Sequence, residues 1–447
     1  MYSNLIINKL KDKKIAILGY GREGKSTYNF IRKYLPSKHL TIIDKNNIII
    51  DDKNVDLVTG DNYLDNLDIY DLIIKSPGIS LKDIDYSKFV NKITSQLELL
   101  LEVDKENIIG ITGTKGKSTT TSLMYEVLKA QRDNVYLLGN IGVPVLSEID
   151  KYNKDTILVI EMSSHQLEFV RNSPHIAAIL NLFQDHLDHD GTLEHYHHNK
   201  MNIFKYQSSN DYAIYSDDNL YLNQRMSEYN YKAIKYNIRF DMENRFGNYV
   251  RCDGKNIYIN DEIIYQDSKR CLLGDHNLKN IMFILTISKI LGLDMDKVKK
   301  SIENFKGLKY RMEYLGKYHG IKYYNDTIAT IPEATINAVT AIKDVNTLIF
   351  GGLDRKIDYT SFIEFLRSSS INNLICMPTT GTKIGKILEK DSNKNILYAN
   401  TLEEANNYAL KYTKKDKSCL LSPAAASYEY FKNFEEKGKA FENIVKK

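Results

Sequence analysis

Short apolar runs rich in β-branched residues alternate along most of the chain with longer segments whose apolar residues recur at helical spacing. Ile108, Ile109 and Ile111 form one such run, which enters a glycine-rich turn and continues into a helix-period segment with Leu123 and Val127. Further strands are predicted at residues 40–43, 71–74, 135–138, 157–160, 177–182, 320–324, 347–350, 373–377, 396–398 and 419–421, and an alternating strand starts at Lys14. Strands that alternate with helices indicate an α/β protein with parallel sheets.

The length and the βα rhythm together predict three domains. A chain of 447 residues is long enough for about three domains that each bury a core. We expect a Rossmann-like domain over 1–103, a central P-loop ATPase-like domain over 104–306 and a second Rossmann-like domain over 307–447.

Composition and charge exclude several classes of protein. Charged residues make up 26% of the chain and apolar residues 43%, as in globular proteins, and the net charge of +4 gives no reason to expect nucleic-acid binding. No apolar run reaches the roughly 18 residues of a membrane span, and the first residues lack a signal-peptide core. Four widely spaced cysteines indicate neither disulfides nor a zinc site. We therefore expect a cytoplasmic protein without membrane insertion.

The turn after Ile111 has the residues of a phosphate-binding loop. Glycines let the backbone N–H groups face a phosphate, and the next helix contributes the positive end of its dipole. Lys117 can reach the β- and γ-phosphates, and Ser118 or Thr119 can ligate magnesium. Ile111 stands where the usual P-loop spacing has its first glycine, so an ordinary glycine-rich βα turn is the alternative. The predicted ATP loop consists of Gly113, Thr114, Lys115, Gly116, Lys117, Ser118 and Thr119.

A second glycine motif lies near the start of the chain. The turn G-Y-G-R-E-G over residues 19–24 has the form G-x-G-x-x-G, and Asp44 ends the next strand about 20 residues later. On its own this pattern predicts a dinucleotide-dependent dehydrogenase, but the same turn can hold another diphosphate, such as a nucleotide sugar. The turn Ser76-Pro77-Gly78 follows a strand, where α/β sheets collect ligands.

Two polar residues follow strands in the central part of the chain. Asn140 is the polar side chain in the turn G-N-I-G-V-P, and Glu161 ends the buried strand 157–160. An acid at the end of a strand downstream of a P-loop is typical of a magnesium site. A surface acid is the alternative for Glu161.

Five of the ten histidines lie between His186 and His198, among several aspartates. One interpretation is a transition-metal site, although the spacings match no single zinc pattern. The other, which we prefer, is one functional histidine, His186, at the carboxyl end of a strand, followed by a solvated polar helix.

Candidate ligand-binding residues recur in the later part of the chain. Asn277 and Asn280 open a helix and can face one ligand, or they can cap that helix. Asp326, Arg355 and Ser427 follow predicted strands of the last domain, where parallel sheets place their binding loops.

Over its whole length the chain resembles the Mur ligases, in particular the group that adds glutamate to UDP-N-acetylmuramoyl-L-alanine in peptidoglycan synthesis. The motifs that carry the resemblance are G-I-T-G-T-K-G-K-S-T, G-N-I-G-V-P, E-M-S-S-H-Q-L-E, D-H-L-D, G-D-H-N-L-K-N and L-S-P-A-A-A-S-Y-E-Y-F-K-N-F-E-E-K-G. The family's own P-loop form matches the spacing found here. The resemblance implies that ATP activates a carboxylate as an acyl phosphate, which an amine then attacks.

The resemblance also implies roles for individual residues. Lys117, Glu161, His186 and Lys200 would be catalytic, and Ser118, Thr119, Glu161, His186 and Lys200 would hold two magnesium ions. Lys200 would carry a carbamate, whose oxygens suit magnesium; a solvated helix lysine is the alternative. The ATP site would also include Asn277, Asn280, Arg311 and Asp326. The UDP-sugar site would comprise Arg22, Glu23, Asp44, Ser76, Pro77, Gly78, Asn140, Ser163 and Gln166, and the amino-acid site Thr330, Arg355, Ser427 and the backbone at Phe434.

The choice of amino acid is less closely determined by the sequence. D-glutamate ligases of this family carry a lysine where this chain has Ile328, so a cation is missing beside the pocket for a dianion. Arg355 can compensate, because a guanidinium holds a carboxylate bidentately. D-glutamate is the expected substrate, and L-glutamate, which a sibling group adds, is the alternative. An NAD-dependent oxidoreductase and a non-catalytic nucleotide switch are the competing functions. We expect a monomer.

Overall fold

The computed structural model describes residues 2–183, 190–228, 231–242, 247–272, 274–355, 357–390, 392–427 and 431–447. These residues form two compact units, one of residues 1–270 with 275–304 and the other of residues 271–274 with 305–447. Three sheets are found within them, two in the first unit and one in the second. This is the α/β architecture that the strand pattern predicts.

The N-terminal sheet of the first unit is parallel and has the strand order β3-β2-β1-β4-β5. All residues of β1 are buried, so this strand does not alternate as we predicted. The reason is its position between β2 and β4, where a parallel strand is covered on both faces. The strands are β1 (Ile15–Leu18), β2 (Leu40–Asp44), β3 (Val55–Thr59), β4 (Leu72–Lys75) and β5 (Ile93–Thr94), and the helices are α1 (Tyr2–Leu10), α2 (Arg22–Tyr34) and α3 (Gln96–Leu101).

The central sheet of the first unit has the order β14-β13-β12-β11-β10-β9-β6-β8-β7. It is parallel from β7 to β12, and β13 and β14 add an antiparallel edge. Its strands are β6 (Ile108–Thr112), β7 (Val135–Gly139), β8 (Ile157–Glu161), β9 (Ile176–Ile179), β10 (Tyr212–Ser216), β11 (Ile234–Arg239), β12 (Asn248–Cys252), β13 (Asn256–Ile259) and β14 (Glu262–Gln266). Its helices are α4 (Lys117–Lys129), α5 (Ser164–Leu167), α6 (Leu193–Lys205), α7 (Leu220–Glu228), α8 (Asp275–Ile290) and α9 (Met295–Asn304).

One hydrophobic core joins the two sheets of the first unit. It runs from Ile6 and Ile15 through Leu100 to Leu138 and Leu158, all of them almost completely buried. The short 3-10 helix Val145–Lys151 lies at this junction and contacts α1, α2 and α3. The two sheets therefore share buried apolar surface, and a domain boundary after residue 103 stays a prediction.

The second unit is built on one sheet of order β15-β16-β20-β17-β18-β19. All its pairings are parallel except β15 with β16, a hairpin that the strand pattern did not predict. The strands are β15 (Glu313–Tyr318), β16 (Ile321–Asn325), β17 (Val345–Phe350), β18 (Asn373–Cys376), β19 (Asn395–Tyr398) and β20 (Ser418–Leu421). The helices are α10 (Pro332–Ala341), α11 (Thr360–Ser368), α12 (Thr380–Leu388), α13 (Leu402–Tyr412) and α14 (Phe434–Val445).

None of the helices in the described ranges is long and apolar enough to cross a bilayer.

Candidate functional site

The predicted phosphate loop connects β6 to α4 at the carboxyl edge of the central sheet. Gly116 has a φ of 86°, in the left-handed region that favours glycine, and precedes α4 without a side-chain cap. The first N–H groups of α4 therefore lack both an intrahelical partner and a capping side chain. Together with the helix dipole they make this end of α4 favourable for an anion.

Lys117 lies across the mouth of this loop. Its Nζ donates to the carbonyl oxygens of Gly113, at 2.8 Å, and Thr114, at 3.0 Å. Ser118 and Thr119 follow in the first turn of α4 and are half-buried. The geometry puts one ammonium and two hydroxyls at the start of the helix, as a site for a nucleoside triphosphate needs.

Asn181 fixes the shape of the loop, and we did not predict it. Its side-chain Oδ1 accepts from the backbone N–H of Lys115 at 2.8 Å, and its backbone carbonyl accepts from the N–H of Thr114 at 3.0 Å. Tyr196 donates from its hydroxyl to Thr114 Oγ1 at 3.1 Å. The signal in the sequence was an amide residue just after strand β9, at the same sheet edge as the loop.

Glu161 is the last residue of β8 and is fully buried, so the surface-acid alternative is wrong. It pairs in register with Ile111 on β6 and Gly139 on β7. Its Oε1 accepts from Asn140 Nδ2 at 2.7 Å, whereas Oε2 has no partner among the described residues. A buried carboxylate oxygen without a donor is costly unless a cation or donor satisfies it.

Lys200 projects from α6 to the underside of the same loop and is only 1% exposed. Its Nζ donates to the Gly113 carbonyl at 3.1 Å and lies 4.8 Å from the ring centre of Tyr196. The alternative of a solvated helix lysine is therefore wrong. The Gly113 carbonyl accepts from the ammonium groups of both Lys117 and Lys200.

Asn277 and Asn280 lie in the first turns of α8 and are both buried. Asn280 Nδ2 donates to Asn277 Oδ1 at 3.2 Å. A Cβ atom on Gly116 would come within 2.8 Å of Asn280 Oδ1. The structure thus brings this pair of amides to the phosphate loop.

His186 lies outside the described residues. The helix after it, α6, is not the solvated polar helix we predicted, because Tyr196, His197, Asn199 and Lys200 are buried in it. Its buried polar residues have partners inside the protein; Asn199 Nδ2, for example, donates to Asp190 Oδ1 at 2.8 Å. Across the part of the chain that is described, the one cluster with metal-ligand spacing is Glu106, His175 and Asp211, outside the histidine-rich run.

In the N-terminal sheet, Asp44 holds the glycine turn. Its Oδ2 accepts from the Tyr20 N–H at 2.7 Å and its Oδ1 from the Asn46 N–H at 2.9 Å. Ser76 donates from Oγ to the Gly19 carbonyl at 2.8 Å. Pro77 and Gly78 continue this turn, half-buried and exposed respectively. The dehydrogenase interpretation assigned the Asp44 carboxylate to a ribose. In the structure this carboxylate accepts hydrogen bonds from the backbone N–H groups of Tyr20 and Asn46.

Arg22 and Glu23 reach from the glycine turn to the central sheet. Arg22 donates to the Gly139 carbonyl at 3.0 Å, beside Asn140. Glu23 Oε1 accepts from Gln166 Nε2 at 2.8 Å, and burial raises the pKa of this carboxyl. Gln166 and Ser163 form a capping box at the start of α5. Among the residues predicted for the UDP-sugar, Arg22 and Glu23 therefore link the glycine turn to the central sheet by hydrogen bonds.

A buried ion pair, which the sequence analysis missed, lies beside these residues. Lys75 Nζ is 3.0 Å from Glu168 Oε2, and the two side chains are 3% and 5% exposed. Burial lowers the pKa of Lys75, opposed by the charge of Glu168. The partners are 93 residues apart, so no local pattern could reveal the pair.

Asp326 follows β16 in the second unit and is 3% exposed. Its Oδ1 accepts from the Met312 N–H at 3.0 Å and its Oδ2 from Ser422 Oγ at 2.7 Å. Burial raises the pKa of Asp326 to about 6, opposed by these hydrogen bonds and by the charge of Arg311. Arg311 itself is exposed.

The residues predicted for the amino acid lie in the loops and helix starts of the same unit. Ser427 follows β20 and is 5% exposed, and its Oγ has no partner among the described residues. Phe434 begins α14, after Asn433 as its cap. Thr330 is half-buried, and Arg355, exposed, follows the glycine turn after β17.

Comparison with known proteins places this geometry in a family. Residues 111–287 match the Mur ligase middle domain, and residues 310–425 match the Mur ligase glutamate ligase domain. The chain belongs to the Mur ligase family. It is 33% identical to the UDP-N-acetylmuramoylalanine--D-glutamate ligase of Clostridium botulinum (strain Kyoto / Type A2), over 98% of this chain and 97% of that one. It is 34% identical to the enzyme of that name from Clostridium kluyveri, with the same coverage.

Solved Mur ligase structures share the fold. The UDP-N-acetylmuramate-alanine ligase MurC of Thermotoga maritima has a TM-score of 0.57 and 17% identity, and covers 96% of this chain and 98% of its own. MurF ligase from the same organism, in complex with ADP, has a TM-score of 0.57 and 18% identity, with 98% and 96% coverage. Membership in this family implies ATP use and argues against the oxidoreductase alternative.

Proposed function

We propose that this Mur ligase uses ATP to join D-glutamate to UDP-N-acetylmuramoyl-L-alanine, a step in the synthesis of peptidoglycan precursors. The observation that carries the proposal is the identity of 33–34%, over nearly the whole chain, to enzymes named UDP-N-acetylmuramoylalanine--D-glutamate ligase. The phosphate loop and the buried Glu161 beside it supply the groups that an ATP-dependent ligase needs.

The proposed reaction has two steps. An oxygen of the alanine carboxylate attacks the γ-phosphorus of ATP, the bond to the β-phosphate oxygen breaks, and ADP leaves. The glutamate amine then attacks the carbonyl carbon of the acyl phosphate; phosphate leaves, and the amine loses a proton as the amide forms. The amides at the start of α4 and the ammonium of Lys117 stabilise the charge on the transferring phosphoryl group.

The residues around Glu161 fit a magnesium ion. Glu161 Oε2 is a buried, hard oxygen without a described partner, and magnesium prefers such carboxylate oxygens with hydroxyls and phosphates. Ser118, Thr119 and Glu161 would hold one ion, and His186 with carbamylated Lys200 a second. When bound, magnesium neutralises phosphate charge and orients the oxygens.

A carbamate on Lys200 is supported by its position. The ammonium groups of the half-buried Lys117 and the buried Lys200 donate to one carbonyl, so two like charges are close together and repel. A carbamate would replace one of the positive charges with a negative one.

Bicarbonate dependence tests the carbamate. Enzyme depleted of carbon dioxide should lose activity and regain it with bicarbonate. Lys200→Ala should be inactive and partly restored by acetate, which supplies a carboxylate. Full activity of Lys200→Ala without an additive would eliminate the carbamate.

The remaining site residues are divided among the three substrates, as the resemblance implies. Arg22, Glu23, Asp44, the Ser76-Pro77-Gly78 turn, Asn140, Ser163 and Gln166 would serve the UDP-sugar, and Asn277, Asn280, Arg311 and Asp326 the nucleotide. Thr330, Arg355, Ser427 and the Phe434 backbone would serve glutamate.

Three domains, 1–103, 104–306 and 307–447, and a monomeric state stay proposals. Limited proteolysis tests the domain boundaries, and analytical sedimentation tests the monomer.

Phosphate release is the direct test of the function. Enzyme with ATP, Mg²⁺ and UDP-N-acetylmuramoyl-L-alanine should release phosphate on adding D-glutamate and very little with L-glutamate or neutral amino acids. A higher kcat/KM for L-glutamate would favour the sibling activity. ATP binding with no phosphate release for any amino acid would favour the nucleotide switch.

A further inference from the structure

Among the described residues of the second unit, the most deeply buried cation is a lysine outside the predicted site. Lys437 lies one turn into α14 and is 3% exposed. Its Nζ donates to the carbonyl of Gly351 at 3.0 Å, and this is the single partner that it has among the described residues. An ammonium has three N–H donors, so two remain for a ligand.

Lys437 lines a cavity of about 180 Å³ at the carboxyl edge of the sheet. The cavity is formed by the ends of β17, β18, β19 and β20, and by α13 and α14; its lining includes Gly352, Pro378, Thr401, Ser427 and Phe431. Ligands of α/β sheets bind at this edge.

The described lining has the chemistry of an anion site. Lys437 is its one cation, and the Ser427 hydroxyl is a buried donor without a described partner. The first turn of α13 also borders the cavity, so the positive end of a helix dipole faces it. Glu403, the one carboxylate of this lining, is exposed and so can remain hydrated.

Burial lowers the pKa of Lys437 to about 8, which still leaves it charged at neutral pH. An ammonium that is buried beside one carbonyl lacks the counter-charge that buried charges normally have. A ligand carboxylate would supply that counter-charge.

We propose that Lys437, together with the Ser427 hydroxyl, binds one carboxylate of the incoming glutamate. This proposal rests on the proposed ligase function. D-glutamate ligases of the family have a lysine at the position of Ile328, and Lys437 would supply the positive charge that this chain lacks there. Arg355, which we also assign to glutamate, is exposed and is not in the described lining of this cavity, so its role stays a separate prediction.

The test compares neutral variants of Lys437 on glutamate and its amides. Lys437→Met removes the charge at similar length, and Lys437→Gln removes it while keeping a donor for the Gly351 carbonyl. Lys439→Met, exposed two residues further along the same helix, is the matched control. For each protein, kcat/KM is measured with D-glutamate, D-glutamine and D-isoglutamine, which lack the side-chain and the α-carboxylate charge respectively.

In the wild type, both amides should be poor substrates. In Lys437→Met and Lys437→Gln, KM for D-glutamate should rise about 30-fold or more, with KM for ATP within about twofold. The preference for D-glutamate over one of the two amides should collapse, and that amide identifies the carboxylate that Lys437 holds. A purely structural role would lower all three activities together and leave both ratios unchanged.

The outcomes separate this inference from the proposed function. If the wild type prefers L-glutamate, the same comparison is made with the L-amides, because the inference concerns a carboxylate and not the stereocentre. Unchanged ratios in a folded neutral variant would overturn the role of Lys437 and leave the ligase function intact. Turnover with neutral amino acids but with neither glutamate would overturn both.

Ser427→Ala is an independent check. The Ser427 hydroxyl makes no hydrogen bond within the described structure, so its removal should not lower the melting temperature. KM for D-glutamate should nevertheless rise about tenfold. An unchanged KM would remove Ser427 from the carboxylate site.

Discussion

At the scale of single residues, Lys117 offers the sharpest test of the nucleotide site. Its ammonium is held by two loop carbonyls at the mouth of the phosphate loop, so its charge is positioned before the substrate binds. Lys117→Ala should lower kcat at least 100-fold, or about 3 kcal/mol of transition-state stabilisation, without loss of the folded state. Lys129→Met, exposed at the far end of α4, should keep wild-type activity. Lys117→Ala activity within threefold of wild type would rule out this loop as the ATP site.

Asp326 should make stability depend on pH. Its pKa is raised to about 6 by burial, whereas an unfolded aspartate has a pKa of about 4. Between these values the folded protein binds more protons than the unfolded chain, so the free energy of unfolding falls as pH rises from about 4 to 6. Asp326→Asn cannot titrate, and its amide can still accept from the Met312 N–H and donate to Ser422.

Denaturant unfolding of wild type and Asp326→Asn at pH 4, 5 and 6.5 measures this effect. The wild type should lose roughly 2 kcal/mol relative to the variant over this range. The comparison cancels the other titrating groups, which the two proteins share. A difference that does not change with pH would show that Asp326 keeps an ordinary pKa.

At the scale of elements, the first βα turn depends on close contact between helix and strand. A Cβ atom on Gly24, in α2, would lie 1.9 Å from the Gly19 carbonyl oxygen. Gly24→Ala must therefore push α2 away from β1, at a cost of about 2 kcal/mol or more in the free energy of unfolding.

Gly21→Ala is the matched control, because a Cβ there would meet nothing within 4 Å. It should change the free energy of unfolding by less than about 1 kcal/mol. Chemical denaturation of both variants decides the matter: equal effects would mean that the contact with Gly19 does not determine the packing of α2.

At the scale of the whole molecule, the Lys75–Glu168 pair links the N-terminal sheet to the central part of the first unit. Lys75→Met would leave a buried carboxylate without its cation and should cost about 3–5 kcal/mol in the free energy of unfolding. The double variant Lys75→Met/Glu168→Leu removes both charges and should recover most of that loss. Lys151→Met breaks the more exposed Lys151–Glu148 pair and should cost less than about 1 kcal/mol. Additive effects of the two buried substitutions would contradict the coupling.

Local patterns were sufficient for the repeated βα units and for the phosphate loop. The run Ile108–Ile111, the glycines and Lys117 act within a few residues of each other, so their spacing carries the geometry. Local patterns were also sufficient for Glu161 in the central sheet and for Asp326 in the sheet of the second unit. Each follows or ends a strand, and the carboxyl ends of parallel strands form the ligand-binding edge of their own sheet.

Patterns failed where burial depends on distant partners. The charged and histidine-rich sequence of α6 indicated a solvated helix, yet Lys200 and Asn199 are buried because Gly113 and Asp190 accept their hydrogen bonds. The sequence pattern predicted a strand β1 with alternating buried and exposed residues, although both of its faces are covered. The antiparallel hairpins lack the crossover helices on which the parallel pattern depends.

The sequence by itself determined the α/β class, the family and the position of the nucleotide loop. Only the tertiary structure revealed the Lys75–Glu168 pair, the hydrogen bond from the glycine turn to Asp44, and the cavity that Lys437 and Ser427 both line. The physical reason is that a lysine in a helix has the same local pattern whether it faces water or a cavity. Its environment is decided by the strand ends and helices that pack around it.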